Sequence, residues 1–401
     1  MDATFLSLSN TLIYIAFIML LVALVPLAVS VKEKSESHKF EKIAIWMISI
    51  AFVMELAYFI LRWMATGHAP VSNMYEFIAM FSIMLIGGYL ITYHYFKSKV
   101  FGLFAIPISL LLLAYGSLFS TDVQPLIPAL QSNWLAIHVI TVTLSYGILS
   151  MSAVAGLIYL IKAIPAEENS WRARSLELIM FGILTVIMYM VTTVFMQNII
   201  GYNDEFYYTD QQGQQVIAEY HLPSLVNYNE AIPVSHVGDN EYEPADHFHL
   251  GIDLPPVIKA HTLNTVIWSI IVGLITYGIV RLIIRKRLFT LVKPLTKKAD
   301  LALMDEIGYR SVIIGFPLFA LGGIFFAAIW AQIAWSRFWG WDPKETWAFI
   351  TFMFYTIFLH LRLNRGYEGE KSAWLAVGGF ILILFNLIAI NLIVAGLHSY
   401  A

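Results

Sequence analysis

The 401-residue chain contains no cysteine. That excludes a disulfide framework, a thiolate metal site or a thiol redox catalyst built by this chain alone. Charge is scarce as well. Only 13% of residues are Asp, Glu, Lys or Arg, and a net charge of −3 gives no basis for nucleic-acid binding. There is no P-loop, no Rossmann glycine fingerprint and no H-E-x-x-H zinc site, so energy input from nucleotide hydrolysis is not encoded here. What fills the chain instead is apolar: 59% of residues are hydrophobic, with a mean hydropathy of +0.72. A soluble core of this size has no room for that much apolar surface, so lipid must cover the rest.

A membrane helix needs ~20 predominantly apolar residues, and ten stretches qualify: 10–31, 42–64, 74–96, 100–120, 134–161, 175–200, 261–284, 311–333, 346–363 and 373–397. Inside lipid each must close its own backbone hydrogen bonds, which makes it a helix. The expected fold is therefore an all-α membrane protein, a polytopic bundle of about ten transmembrane helices with one long outer loop. The first apolar run has no basic stretch before it and no A-x-A-like cleavage site after it, and is expected to be a retained span.

Lys and Arg gather in every second loop, at Lys32 to Lys42, Lys97 to Lys99, Lys162 to Arg174, Arg281 to Arg310 and Arg362 to Lys371. The positive-inside rule makes those loops cytoplasmic and both termini extracytoplasmic. The expected regions are a four-span N-terminal part (1–133), spans five and six (134–200), an acidic extracytoplasmic loop (201–260) and a four-span C-terminal part (261–401). The acidic loop has ten Asp or Glu, Lys259 as its only basic residue beside His221, His236, His247 and His249, and a turn-rich composition that suggests short strands.

The strongest local signal lies between spans eight and nine. Trp335, Phe338, Trp339, Trp341 and Trp347 fall within 13 residues, around a Trp-Gly-Trp-Asp-Pro turn that contains Asp342. An interfacial aromatic belt does not require that density. A flat, apolar, polarisable ligand such as haem suits the surface, and Gly340 would let the backbone approach it. Two histidines fall on the same face: His138 opens span five and His398 closes span ten. Two imidazoles beside an aromatic shelf are the parts of a bis-histidine haem pocket. His261 is a rival to His138 at that face. His360 sits within span nine towards the cytoplasmic side, where an ionisable residue faces a partner or cofactor or snorkels to the surface; His94 lies at similar depth. His38 is expected to be inert. Glu55, Glu76, Asn386 and Asn391 are expected to bond between helices.

These residues resemble the CcsA/ResC family of System II cytochrome c biogenesis, within the haem-handling superfamily named for its Trp-Trp-Asp domain. The resemblance rests on Ala334 to Trp347, on Leu359-His360-Leu361-Arg362 and on Gly396 to Tyr400. It is reinforced by Arg62 to Glu76, Trp134 to Tyr146 and Gly308 to Pro317. It implies that His138 and His398 ligate haem iron beside Trp335, Trp339, Trp341, Asp342 and Trp347, and that His360 ligates haem b within the membrane. It also implies a CcsB/ResB-type partner subunit, an apocytochrome c whose Cys-x-x-Cys-His segment supplies the thiols, and thiol reductant proteins acting indirectly. The implied activity is that of a cytochrome c synthase (haem lyase) subunit, and the implied location is a bacterial inner membrane or a thylakoid membrane. A haem exporter or chaperone without ligation activity, or a transmembrane di-haem electron carrier, would use the same residues. Ser336 and Phe338 depart from the family's usual Gly and Tyr or Trp. Spans six and seven with the acidic loop look like an insertion.

Overall fold

The computed structural model describes residues 3–32, 38–123, 130–210, 213–238 and 241–390. The expected helices form, most with longer ends, though α4 stops at Gly116 and residues 391–397 of the last expected span lie outside the described residues: α1 (Ala3–Lys32), α2 (Lys39–Thr66), α3 (Met74–Phe96), α4 (Lys99–Gly116), α5 (Asn133–Ala163), α6 (Trp171–Val194), α7 (Ala260–Ile284), the short α8 (Leu288–Val292), α9 (Leu301–Phe319), α10 (Ala327–Trp335), α11 (Pro343–Arg362) and α12 (Glu370–Leu384). Helices α9 and α10 are one continuous rod, joined by a π-helical stretch at Ala320–Phe326, and further π-helical stretches end α6 (Phe195–Ile200) and α12 (Phe385–Ile390). Among the described residues nine helices are long and apolar enough to cross a membrane. The chain is an integral, polytopic, all-α membrane protein. The tenth expected span, α11, forms as a 20-residue helix but opens on Lys344-Glu345-Thr346 and closes on His360 and Arg362, which dilutes its apolar character. The eighth span begins ten residues before its apolar run, because α9 starts at Leu301 with Asp300 capping the backbone N–H groups of Ala302 and Leu303.

The chain divides into two compact units. The first holds α1 to α5, α9, α10, most of α11 and the first part of α12. Its packing follows from helical spacing. Helix α1 buries Ile13, Ala16, Leu20, Ala23, Leu27 and Val31, and α2 buries Ala44, Ile48, Ala51, Glu55, Tyr58, Arg62 and Ala65. Steps of three and four residues put each set on one stripe, and the two helices pack along each other. Helix α5 is the most enclosed candidate span. It meets α3 where Gly147 lies so close to Met84 that a Cβ would stand 2.6 Å from that residue's backbone. It meets α9 where Ser145 donates to the Gly315 carbonyl at 2.8 Å.

The second unit holds most of α6, α7 and the segment between them. That segment is folded, as its turn-rich composition suggested. Strands β1 (Asp204–Thr209), β2 (Gln215–Tyr220), β4 (Ile232–Gly238) and β5 (Glu241–Pro244) form an antiparallel sheet in the order β2-β1-β4-β5. Strands β3 (Asn227–Tyr228) and β6 (Asp253–Leu254) pair in parallel. Phe206, Ala218, Tyr220 and Tyr228 form a small core with Ala260, the first residue of α7.

Candidate functional site

His138 lies on the first turns of α5, and three features fix its ring. Its Nδ1 is 2.8 Å from the carbonyl oxygen of Gly322. A carbonyl only accepts, so Nδ1 carries a proton, and in the neutral ring Nε2 then carries the lone pair. Gly322 sits in the π-helical stretch, and its carbonyl also accepts the i→i+5 bond from Ala327, which uses its second lone pair. The approach depends on glycine, since a Cβ at 322 would stand 2.7 Å from the Val142 nitrogen. The imidazole plane is parallel to the Trp330 indole within 8°, with ring centroids 5.9 Å apart.

Around this ring the wall is aromatic and apolar. Trp330 meets Trp335 at 4.9 Å, and Trp134 meets Phe326 at 5.9 Å. Ala69, Val71, Leu135, Val139 and Trp330 form one buried cluster, with Trp134, Ala334 and Trp335 packed against it. The 69–71 segment of that cluster is held by a polar knot at the start of α3. Arg62 and Glu76, both fully buried, form an ion pair at 2.7 Å. The other Glu76 oxygen accepts from the Ser72 backbone and hydroxyl at 2.9 and 2.8 Å. Asn73 caps the Glu76 N–H, and Arg62 donates to the Thr121 carbonyl at 3.0 Å. Expected only to bond between helices, Glu76 bears one half of a buried charge pair.

Past Trp335 the chain turns twice through left-handed backbone, at Ser336 (φ 55°) and Trp341 (φ 56°). The turn is pinned to α11: the Gly340 N–H donates to Glu345 at 2.7 Å, and the Thr346 hydroxyl donates to the Trp341 carbonyl at 3.2 Å. Trp341 is 65% exposed and meets Trp339 and Phe349 edge to face. The Trp339 indole N–H is buried and has no hydrogen-bond partner among the described residues. Asp342 is buried and precedes Pro343 at the start of α11, the residue order that favours a helix beginning there. The space where a Gly340 Cβ would stand is taken by the Arg337 guanidinium. Trp347 lies one turn into α11 and is half-buried.

The remaining sequence candidates scatter. His360 falls on the uncovered face of α11 with Met353 and Ile357, opposite the buried Thr351, Tyr355 and Phe358. It does not pair with Arg362, which binds Asp305 at 2.5 Å and stacks on Tyr309. His94 is exposed at the end of α3 against Tyr95. His261, in the second unit, shares a hydrogen bond with the Tyr228 hydroxyl at 3.0 Å and packs against Tyr220. There Asn264 ties α7 to the backbone of Leu222, Pro223 and Leu225. Burial pushes the Tyr220 and Tyr228 hydroxyls up and the Lys259 ammonium down from their ordinary values. His38 binds Glu41 at 2.8 Å. His398 and Asn391 lie outside the described residues. Trp330 and Gly322 were missed by sequence reasoning. The only signals for them were a tryptophan inside the eighth span and the Gly322-Gly323 pair.

The sequence profile of the family described as Cytochrome C assembly protein matches residues 71–199 and 255–398. Three relatives bear the name Cytochrome c biogenesis protein CcsA. The one from Nostoc sp. is 27% identical over 84% of this chain and 82% of its own length. The one from Prochlorococcus marinus is 26% identical over 94% and 91%, and the one from Pyropia yezoensis is 27% identical over 88% and 84%. The chain belongs to the CcsA family of cytochrome c assembly proteins. Both matched stretches carry residues of the site, His138 in the first and Gly322, Trp330 and the tryptophan turn in the second. They also correct one expectation. Helices α6 and α7 fall within the matched stretches, so they are part of the family's profile and not two inserted spans, while residues 200–254 lie outside it.

Proposed function

We propose that this chain receives haem as its substrate, holds the iron through His138, and presents the haem for covalent attachment to apocytochrome c. The observation that carries the reading is the Nδ1–H bond from His138 to the Gly322 carbonyl. Metal-ligating histidines commonly donate the other ring nitrogen to a carbonyl or carboxylate, which fixes the tautomer and raises ligand basicity. The Trp330 and Trp335 indoles beside it supply an apolar, polarisable wall for a porphyrin. His398 is the second iron ligand. Trp339, Trp341, Asp342 and Trp347 belong to the loop that orients the ring. The buried Trp339 N–H is a donor suited to a substrate acceptor.

His360 takes haem b within the membrane, and its place on the uncovered face of α11 suits a site completed by a CcsB/ResB-type subunit. The basic loops face the cytoplasm. The apocytochrome brings both thiols and the histidine of its Cys-x-x-Cys-His segment, in keeping with a chain that has no cysteine. Proximity and orientation of thiol and vinyl supply much of the rate.

The test is the haem absorption spectrum and the c-type cytochrome yield of His138→Ala, His398→Ala and the double variant, made with the partner subunit present. Loss of bound haem and of maturation is expected, with partial return of the haem spectrum on adding imidazole. A double variant with an unchanged spectrum and full maturation refutes the reading. A variant that binds haem and exports it but attaches none would favour the chaperone alternative.

A further inference from the structure

Beyond the haem site, the first four helices contain a seam of polar side chains that runs the length of the bundle, and only its Arg62–Glu76 end also supports the wall beside His138. At one end stand Arg62, Glu76, Tyr75 and Asn10. Arg62 pairs with Glu76, and both Arg62 and Tyr75 reach Asn10, at 3.4 and 3.5 Å. At the other end Glu41 accepts from Tyr93 at 2.6 Å and pairs with Lys99 at 2.7 Å and His38 at 2.8 Å. Between the ends, two-thirds of the way along α2 from Glu41 to Arg62, Glu55 accepts from Ser82 on α3 at 3.0 Å, and Ser82 meets Ser109 on α4 at 2.6 Å. All three side chains are fully buried. On α2 the seam recurs at 41, 55 and 62, and on α3 at 75, 82, 89 and 93, spacings that keep each set on one helix face. The roughly 21 residues from Glu41 to Arg62 rise about 31 Å, close to the ~30 Å hydrocarbon thickness of a bilayer.

The seam is broken on either side of its middle, and the polar atoms at the breaks are left without partners. Glu55 Oε2 and the Tyr89 hydroxyl are both buried and have no hydrogen-bond partner among the described residues. Tyr89 lies between Ser82 and Tyr93, its ring next to that of Tyr93. Gly102 on α4 makes room for it, since a Cβ there would stand 2.5 Å from the Tyr89 hydroxyl oxygen. On the other side Tyr58, one turn from Glu55, meets the Tyr75 ring edge to face at 6.0 Å. Buried polar atoms in native proteins are bonded to protein or to ordered water. Ionisable residues inside membrane spans are rare and point to function, ion pathways and proton relays among the uses they serve.

We propose that α1 to α4 form a transmembrane proton path, with Glu55 as the carrier between its two ends and bridging waters at the two breaks. In one cycle the Glu55 carboxyl gives its proton to water on one side, and the carboxylate takes a proton from water on the other. One positive charge crosses the bundle, and no electron moves and no covalent bond other than O–H is made or broken. A purely structural role for the same contacts needs only the hydrogen bond from Ser82. Glutamine at 55 would keep that bond and the side-chain volume while being unable to carry a proton.

The experiment uses the full chain in vesicles that trap a pH-sensitive dye, with proton flux driven by a valinomycin-set potassium potential. Wild-type protein is expected to move protons faster than protein-free vesicles, Glu55→Gln to lower that flux about ten-fold or more, and Tyr89→Phe to lower it less. Thermal unfolding of each variant checks that it is folded. Should Glu55→Gln not fold, Tyr89→Phe and Ser109→Ala carry the test. Flux from the wild-type chain equal to that of empty vesicles, or folded variants that conduct like the wild type, overturns the proposal.

Discussion

Replacing Gly322 by alanine should damage the His138 site without touching a residue of the proposed haem pocket directly. The added Cβ would stand 2.7 Å from the Val142 nitrogen and 3.0 Å from the Thr141 carbonyl carbon and side chain, where ordinary contact begins at 3.4 Å. The π-helical stretch must therefore back away from α5 by roughly 0.7 Å, and overpacking of this kind costs about 1–3 kcal/mol. The same displacement stretches the Nδ1–Gly322 bond from 2.8 Å to about 3.5 Å, the edge of a hydrogen bond. The ring then loses the contact that selects its tautomer, and loss of such an outer contact lowers metal affinity by about 10–100-fold. Haem titration of the purified full chain, followed by absorption, measures that loss, and thermal unfolding measures the strain. Gly278→Ala is the control. It lies within α7 with nothing within 4 Å of the added methyl, and removing a mid-helix glycine should stabilise by about 0.5–1 kcal/mol. If Gly322→Ala binds haem as tightly as the wild type, the Gly322 carbonyl does not orient the ligand, and the argument for His138 loses its main support.

Three further outcomes rest on contacts described above. Glu76→Ala leaves Arg62 buried without its counter-charge and removes the acceptor of Ser72; it should destabilise by about 3–5 kcal/mol, and an Arg62→Met/Glu76→Leu double variant should recover much of that in thermal unfolding. A single variant no less stable than the double would contradict this. Glu345→Ala removes the acceptor of the Gly340 N–H and should cost about 1–3 kcal/mol, seen as altered tryptophan fluorescence of the loop; an unchanged spectrum and stability would show that the turn is held otherwise. Asn264→Ala removes three hydrogen bonds between α7 and the 222–225 backbone, so limited proteolysis between residues 204 and 254 should accelerate by at least about ten-fold, the rate factor of a ~1.4 kcal/mol loss; unchanged proteolysis would place the anchor elsewhere.

Some of the fold was legible because lipid imposes a simple rule. A long apolar run with few charges must be a helix, and the runs at 74–96 and 261–284 end within a residue of α3 and α7. The run at 311–333 stopped short because Asp305, Glu306 and Arg310 lower its hydropathy without breaking the helix. Inside α9 those charges are met: Asp305 by Arg362, and Glu306 by Arg310 one turn away. The sheet between α6 and α7 was foreseen as turns and strands, while its register rests on pairings such as Phe206 with Ala218 that no short window contains.

His138, Trp335 and the tryptophan turn stood out from the sequence, because residue type and density betray chemistry before folding does. Composition alone also determined that the protein resides in a membrane and brings no thiol of its own. Tertiary structure decided which nitrogen of His138 holds the proton, since that follows from a carbonyl 184 residues away. It likewise decided that Trp330 shares the site and that Glu76 faces Arg62. Proton position, ring stacking and charge pairing depend on distances between helices, and periodicity along one helix carries no information about what lies across from it.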